Sequence, residues 1–297
     1  MDARLQLRVQ RYGWDRAAVV YQQYWERQLA PAHQRLLAMA DIQAGERVLD
    51  VACGSGLVTF PASVATGPGG FVFATDISEA MVRSVTLEAE RRGLAQVHAE
   101  RHAAEEARTP DQPFDVALCA LGLMYVTDPL AVLRVMRASL RPGGRCVVAV
   151  WGSRKHCGWA EMFPIVERRV ASEVCPLFFQ LGGGDTLRLT MQEAGFDDIL
   201  VDRIATTLEY DSAEDACGAA FAGGPVALAY SRFDANTRTA VHGEYLDSIA
   251  QWRHGDAFGV PGEYIVARGT VARETAPSAR APRAAGTVTP ASSRRRR

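Results

Sequence analysis

Residues 46–56, Glu-Arg-Val-Leu-Asp-Val-Ala-Cys-Gly-Ser-Gly, constrain this chain more than any other stretch. Val48, Leu49 and Val51 read as a short buried strand with Asp50 near its end. Gly54-Ser55-Gly56 read as a tight turn, and Leu57-Val58-Thr59-Phe60 as the opening of a helix. A strand, a glycine turn and a helix start in succession form a cradle for a nucleotide-type ligand. Glycine lets the backbone come close to a bound molecule, and a helix N-terminus offers unpaired N–H groups. A dinucleotide fingerprint wants a third small residue where Thr59 stands and has no need of an acid at Asp50.

The segments that follow alternate. Residues 47–52, 71–75, 97–101, 114–120 and 145–151 read as strands, and 57–65, 79–92 and 129–140 as helices. Strands separated by helices argue for a parallel, doubly wound α/β sheet. The clusters Gly67-Pro68-Gly69-Gly70 and Pro142-Gly143-Gly144 punctuate that rhythm just before strands. Residues 5–40 read as helical, with Tyr12, Trp14, Tyr21, Tyr24 and Trp25, and Pro31 separates two helices because it fits a first turn better than an interior. Beyond Trp151 the pattern changes. Helix is expected at 186–194, strand at 198–210, mainly helix at 212–254 with a break at Gly223-Gly224-Pro225, and a last strand at 262–270.

A second acid, Asp76, closes the strand Phe71-Val72-Phe73-Ala74-Thr75, 20 residues past Gly56. A doubly wound fold needs a ribose ligand at that point, and a carboxylate accepts two hydrogen bonds from a diol. The alternative is a helix N-cap, with Ser78 as competitor. Asp50 four residues before Gly54-Ser55-Gly56, no third glycine, and Asp76 at this distance together resemble class I S-adenosylmethionine (SAM) methyltransferases. The resemblance is closest to the ubiquinone and menaquinone biosynthesis methyltransferases and related small-molecule enzymes, and it covers residues 20–152.

The resemblance implies a Rossmann-like fold: α/β, a doubly wound, mostly parallel sheet of seven strands, with N-terminal helices and helical lid insertions. It implies a last strand antiparallel between the fifth and sixth, which makes residues 212–258 an insertion. The implied divisions are an N-terminal helical cap (1–45), a SAM-binding core (46–151), completion of the sheet with substrate lids (152–273) and a disordered basic tail (274–297). The cofactor is SAM, held by Asp50, Ala52, Gly54, Ser55, Gly56, Asp76, Ile77, Ala104 and Cys119. Ile77 would pack on adenine, Ala104 would offer its N–H, and Cys119 would lie at the sheet edge beside the methionyl part. The family usually carries Gly-Asp-Ala after the third strand, its Asp binding the adenine amino group; here His102 and Ala103 stand at the Gly and Asp positions. Glu105 or a backbone carbonyl is left to take that amino group.

Methyl transfer from SAM requires a nucleophile in line with the S–CH3 bond and exclusion of water. Positioning alone supplies about 7–11 kcal/mol in favourable systems. Tyr125 and His156 are the candidates for proton handling. Trp25, Met124, Tyr125, Trp151, Phe163 and Phe178 are the candidates for an acceptor pocket, with Trp159 and Phe179 beside them; ordinary core packing is the alternative. The implied acceptor is a small molecule, with a phenolic or quinone-like ring favoured by this aromatic content. Two competing readings are a non-catalytic SAM-fold binding or assembly protein and a nucleotide-dependent oxidoreductase.

Composition limits the rest. Six of the 33 basic residues are arginines after Thr275, with no acid among them, which leaves 27 bases against 34 acids in residues 1–274. An acidic body argues against a nucleic-acid partner; a passive tail is the expectation for the terminal arginines. Six widely spaced cysteines suggest free, buried thiols, and the histidines lack metal-ligand spacing, so no metal is expected. No apolar run approaches a bilayer span, and residues 1–15 lack the apolar core of a secretory leader, so a cytoplasmic location is expected. The acceptor atom and the oligomeric state are not legible.

Overall fold

A computed structural model of the chain describes residues 3–106, 112–170 and 177–273, with only the backbone of residues 3–6. The basic tail of residues 274–297 and Cys175 lie outside the described residues. The elements in order are α1 (Ala3–Ala40), β1 (Arg47–Val51), α2 (Thr59–Thr66), β2 (Phe71–Asp76), α3 (Glu79–Arg92), β3 (Val97–Arg101), β4 (Phe114–Ala120), α4 (Pro129–Ala138) and β5 (Leu140–Trp151). They continue with α5 (Met162–Glu167), α6 (Thr186–Glu193), β6 (Asp197–Tyr210), α7 (Ala213–Cys217), α8 (Ala227–Tyr230), α9 (Ala235–Ile249), the two-residue β7 (Arg253–His254) and β8 (Ala257–Thr270).

The sheet runs β3-β2-β1-β4-β5-β8-β6, with β7 paired to β8. Strands β1 to β5 are parallel. β8 lies antiparallel between β5 and β6, where the resemblance places the last strand. Val48, Leu49, Val51, Val72, Val116 and Leu118 are fully buried or nearly so, because a parallel sheet covered on both faces needs apolar runs rather than alternation. β6, at the sheet edge, exposes most of its residues until Leu208.

Local chemistry sets the helix starts. Ser78 caps α3 with its hydroxyl on the Met81 N–H, and Gly93 ends that helix with φ 67°. Asp128 caps α4 ahead of Pro129. α2 begins two residues later than the sequence pattern suggests, because Gly56 (φ 88°) carries the turn through Leu57 and Val58.

One expectation needs correcting. Pro31 does not separate two helices; α1 runs through it as a single helix of 38 residues. An interior proline costs about 3 kcal/mol in an isolated helix. Here Leu29, Ala32, Leu36 and Ala40 are all buried on the same side of α1, so packing on either side of the proline holds the helix continuous. Polar links reinforce it. The buried Gln28 side chain donates to the Glu209 carbonyl (2.6 Å) and accepts from the Glu209 N–H (3.0 Å), capping the open edge of β6 as another strand would. The Tyr264 hydroxyl donates to the Gln28 carbonyl (2.8 Å).

Cys53, Cys119, Cys146, Cys157 and Cys217 are buried free thiols. Among the described residues no helix is long and apolar enough to cross a membrane.

Replacing Gln28 with Ala leaves the two Glu209 backbone groups without their partner. The expected loss is about 1–3 kcal/mol, read as a lower urea midpoint with an unchanged slope.

Candidate functional site

The order in which strands are added to the sheet reverses between β1 and β4, which are parallel neighbours while their connections diverge. Such a switch opens a crevice at the C-terminal ends of the strands. A cleft of about 700 Å³ lies there, lined by Ala52, Gly54, Asp76, Ile77, Met81, His102, Ala104, Glu105, Leu121, Gly122 and Tyr125, and roofed from α1 by Trp14 and Tyr21. A narrower inner cavity shares Trp14, Tyr21, Leu121 and Tyr125 with it and is bounded by Trp25, Met124, Trp151, Trp159, Phe178 and Gly223-Gly224-Pro225. A third space of about 290 Å³ lies beneath the glycine turn, between Tyr21, His33, Asp50, Gly54 and Ser55.

The two glycines of the turn have different work. At Gly54 (φ 56°) an added Cβ would meet only the Tyr21 ring, at 3.8 Å, so the space before it is free for a ligand. At Gly56 an added Cβ would lie 2.6 Å from the Phe60 ring, so this glycine serves packing. Gly122 is equally constrained, since a Cβ there would strike that of Ala52 at 2.4 Å. Ala52 (φ 56°) and Leu121 (φ 59°) face the cleft in the left-handed region that side chains disfavour, with Leu121 held by its N–H on the Ala149 carbonyl (2.8 Å).

Asp50 is fully buried. Its Oδ2 accepts from the Thr59 hydroxyl at 2.6 Å, and its Oδ1 has no partner. Thr59, which departs from a dinucleotide fingerprint, is thus the residue that holds Asp50. Asp76 accepts the Gly54 N–H on Oδ2 (3.0 Å) and the Ser78 N–H on Oδ1 (2.8 Å). Ser78, not Asp76, is the helix cap, so the two readings of Asp76 resolve onto different residues. Burial pushes the Asp50 carboxyl up to about 7, against the pull of Thr59. Burial likewise pushes Asp76 up to about 6, against its backbone hydrogen bonds. Burial holds the His33 imidazole down at about 4. Glu105 lines the cleft with both carboxylate oxygens buried and unpartnered, and Ser55 Oγ beneath the turn is also unpartnered. No lysine or arginine lines any of the three spaces among the described residues.

The other candidates divide. Ala52, Gly54, Asp76, Ile77 and Ala104 line the cleft, and Asp50 and Ser55 the space beneath. Cys119 is buried behind the cleft floor, its sulfur near Gly122. Trp25, Met124, Tyr125, Trp151 and Phe178 line the inner cavity, whereas Phe163 packs behind Phe178 with ring centroids 4.9 Å apart. His156 lines none of these spaces; its Nδ1 lies 2.9 Å from Glu263 Oε1, and half its side chain is exposed. Sequence reasoning put the segment from Cys119 to Leu121 at this sheet edge but did not name Trp14, Tyr21 or Gly122 as site residues. A signal existed for α1, since positions 14, 21 and 25 fall on one face of a helix.

A family model described as a methyltransferase domain matches residues 42–174. Nocamycin O-methyltransferase of Saccharothrix syringae is 37% identical over 132 residues, which are 44% of this chain and 47% of that protein. Demethylmenaquinone methyltransferase of Geobacillus kaustophilus is 29% identical over 179 residues, 54% of this chain and 75% of that protein. The chain thus spans about half the length of the first relative. The structure of Haemonchus contortus phosphoethanolamine N-methyltransferase 2 with SAM superposes with a TM-score of 0.55 at 17% identity, covering 88% of this chain and 57% of that one.

The carboxyl of Asp50 supplies a test of the site's electrostatics. The folded chain keeps that proton up to pH about 7, whereas an unfolded chain releases it near pH ~4. Between those values the folded state binds more protons, so Asp50 lowers stability as pH rises. The melting temperature of ligand-free Asp50→Asn should match wild type only below pH ~4 and pull ahead progressively, by several degrees at pH ~8; a constant difference would refute the assignment.

Two buried aspartates, the part-buried Glu105, no facing base among the described residues and a free space before Gly54 fit a cationic nucleoside and not a pyrophosphate. With the methyltransferase-domain match over residues 42–174 and the relatives above, they make this chain similar to the class I SAM-dependent methyltransferases, those of ubiquinone and menaquinone biosynthesis among them.

Proposed function

We propose that the protein transfers the methyl group of SAM to a small, apolar, ring-bearing acceptor. The observation that carries this reading is the aromatic cavity that opens directly off the cofactor cleft and shares four wall residues with it. Bound SAM supplies a methyl carbon made electrophilic by its sulfonium.

Asp76 takes the ribose hydroxyls, since each of its oxygens keeps a lone pair beyond its backbone hydrogen bond. Glu105 accepts from the adenine amino group in place of the acid missing at Ala103; a buried carboxylate with neither oxygen satisfied is costly unless a ligand completes it. Ile77 and Met81 supply apolar contact for the base. Asp50, with its free Oδ1 beside Gly54 and Ser55, matches the ammonium of the methionyl part. Trp14 and Tyr21 shield the reacting centre from water, while Trp25, Trp151, Trp159 and Phe178 clasp the acceptor ring. The names of the curated relatives, a nocamycin O-methyltransferase and a demethylmenaquinone methyltransferase, support an acceptor of this ring-bearing kind.

Calorimetric titration with S-adenosylhomocysteine tests these assignments. Asp76→Ala should weaken binding roughly 100-fold, the value of about two hydrogen bonds to a charged group, with the circular dichroism spectrum unchanged; undiminished affinity would remove the ribose role. Gly54→Val should abolish binding by filling the free space. Glu105→Ala should weaken S-adenosylhomocysteine about tenfold and also erase the preference over its hypoxanthine analogue, which lacks the amino donor. Equal preference in wild type would overturn the adenine role of Glu105.

A further inference from the structure

Among the described residues, the walls of the inner cavity contain no aspartate, glutamate, histidine, cysteine, lysine or arginine. Its titratable groups, among the described residues, are the phenols of Tyr21 and Tyr125. Burial raises the Tyr21 phenol well above its ordinary range, with the Asp76 charge acting in the same direction, so Tyr21 stays protonated and cannot receive a proton. The acids and bases nearby are committed elsewhere. Asp76 faces the cofactor cleft with both oxygens on backbone N–H groups, and Glu105 lies in that cleft without lining the inner cavity. Asp50 and His33 lie beneath the glycine turn, and His156 pairs with Glu263 outside.

Two polar atoms in these walls have no partner. The indole N–H groups of Trp25 and Trp159 are both buried without an acceptor. Their rings are 6.4 Å apart, centre to centre, and each packs on Trp151. The Trp25 nitrogen faces Gly223, at 3.1 Å from where a Cβ would stand, so backbone alone lines that side. A buried donor left unpaired costs about 1–3 kcal/mol, and two in one cavity point to an acceptor atom that arrives with a ligand.

We propose that the methyl acceptor is a ring compound bearing an acidic oxygen (an enol, an acidic phenol or a carboxylic acid) that enters already ionised, its oxyanion held by Trp25 Nε1 and Trp159 Nε1, with no general base from the protein. This rests on the methyl-transfer reading. The proton leaves to solvent before binding. An oxyanion lone pair then forms the new O–CH3 bond as the C–S bond of SAM breaks, and that bonding pair returns to sulfur. An anion and a sulfonium become an ether or ester and a neutral thioether. Cancelling two opposite charges is favoured in a water-poor aromatic cavity, since the products need no solvation of charge there. An amine acceptor would instead leave a charged ammonium with no carboxylate beside it.

The test uses the full chain saturated with S-adenosylhomocysteine. The probes are a cyclic 1,3-diketone, 4-nitrophenol and 1-naphthoic acid, each beside its O-methylated product, with unsubstituted phenol and aniline as neutral probes. Tryptophan fluorescence reads binding between pH 5 and 8.5. At least one ionised probe should bind more tightly than phenol and aniline, and the arm that binds distinguishes enol, phenol and carboxylate. Its affinity should fall as pH drops through that probe's own pKa. A midpoint that is the same for every probe, or tightest binding by aniline, would overturn the proposal. Trp159→Phe and Trp25→Phe keep the ring and delete the N–H. Each should weaken the ionised probe about tenfold or more while leaving its neutral methylated product and S-adenosylhomocysteine unchanged. Equal losses for both forms would mean that the indoles only pack, and would sink the assignment. Loss of S-adenosylhomocysteine binding in wild type would instead defeat the underlying methyl-transfer reading. Retained cofactor binding with no bound oxyanion would defeat this inference alone.

Discussion

The Gly54 N–H donates to Asp76 Oδ2, and the walls of the cleft are arranged around that bond. It ties the turn after β1 to the end of β2, alongside the backbone bond from the Cys53 N–H to the Thr75 carbonyl. The other Asp76 oxygen holds the N–H of Ser78, whose hydroxyl caps α3 and also donates to Asp15 of α1 at 2.6 Å. A single line of hydrogen bonds therefore joins the glycine turn, the second strand, the third helix and the covering helix. Asp76 and Ser78 are buried, so each link is strong in its low-dielectric setting and expensive to leave unmade. The wall of the cleft is held here by the same groups that stand at its surface.

Electrostatics and packing divide the space in two. The cofactor side gathers Asp50, Asp76 and Glu105, with burial working against ionisation of both aspartates until positive charge arrives. The inner side is neutral and almost wholly aromatic. A sulfonium at their junction would feel carboxylates behind it and a water-poor chamber ahead. That gradient follows from the topology: β2 ends in Asp76 and β1 carries Asp50 one residue from its end, whereas β5 ends in Trp151 and the segments after it bring Trp159 and Phe178.

Much of this was legible in residue types. The succession of strands and helices and the positions of Asp50, Gly54 and Asp76 follow from local signals, because a strand end followed by glycines has few structural uses; the antiparallel place of the last strand came from the resemblance to a known family. Other features had no such signal. Ala52 and Leu121 adopt positive φ although neither residue type advertises it, and only the fit between Gly122 and Ala52 explains why the loops approach so closely. Pro31 argued locally for a break that tertiary packing overrode. The partnership of His156 with Glu263 spans 107 positions, which no local pattern reveals. Cys119 and Phe163 lie one layer behind the residues they were grouped with, a distinction that depends on side-chain direction rather than on position along the chain.

Trp14 and Tyr21 stand in the walls of both the cofactor cleft and the inner cavity. Occupants of the two spaces therefore touch the same two side chains, and neither can bind without altering the freedom of a surface that the other needs. Restricting α1 for one ligand reduces the entropy lost on binding the second, so their affinities are linked even where the molecules do not meet. By reciprocity the linkage runs equally in both directions. Departure of either occupant loosens the shared roof over the other.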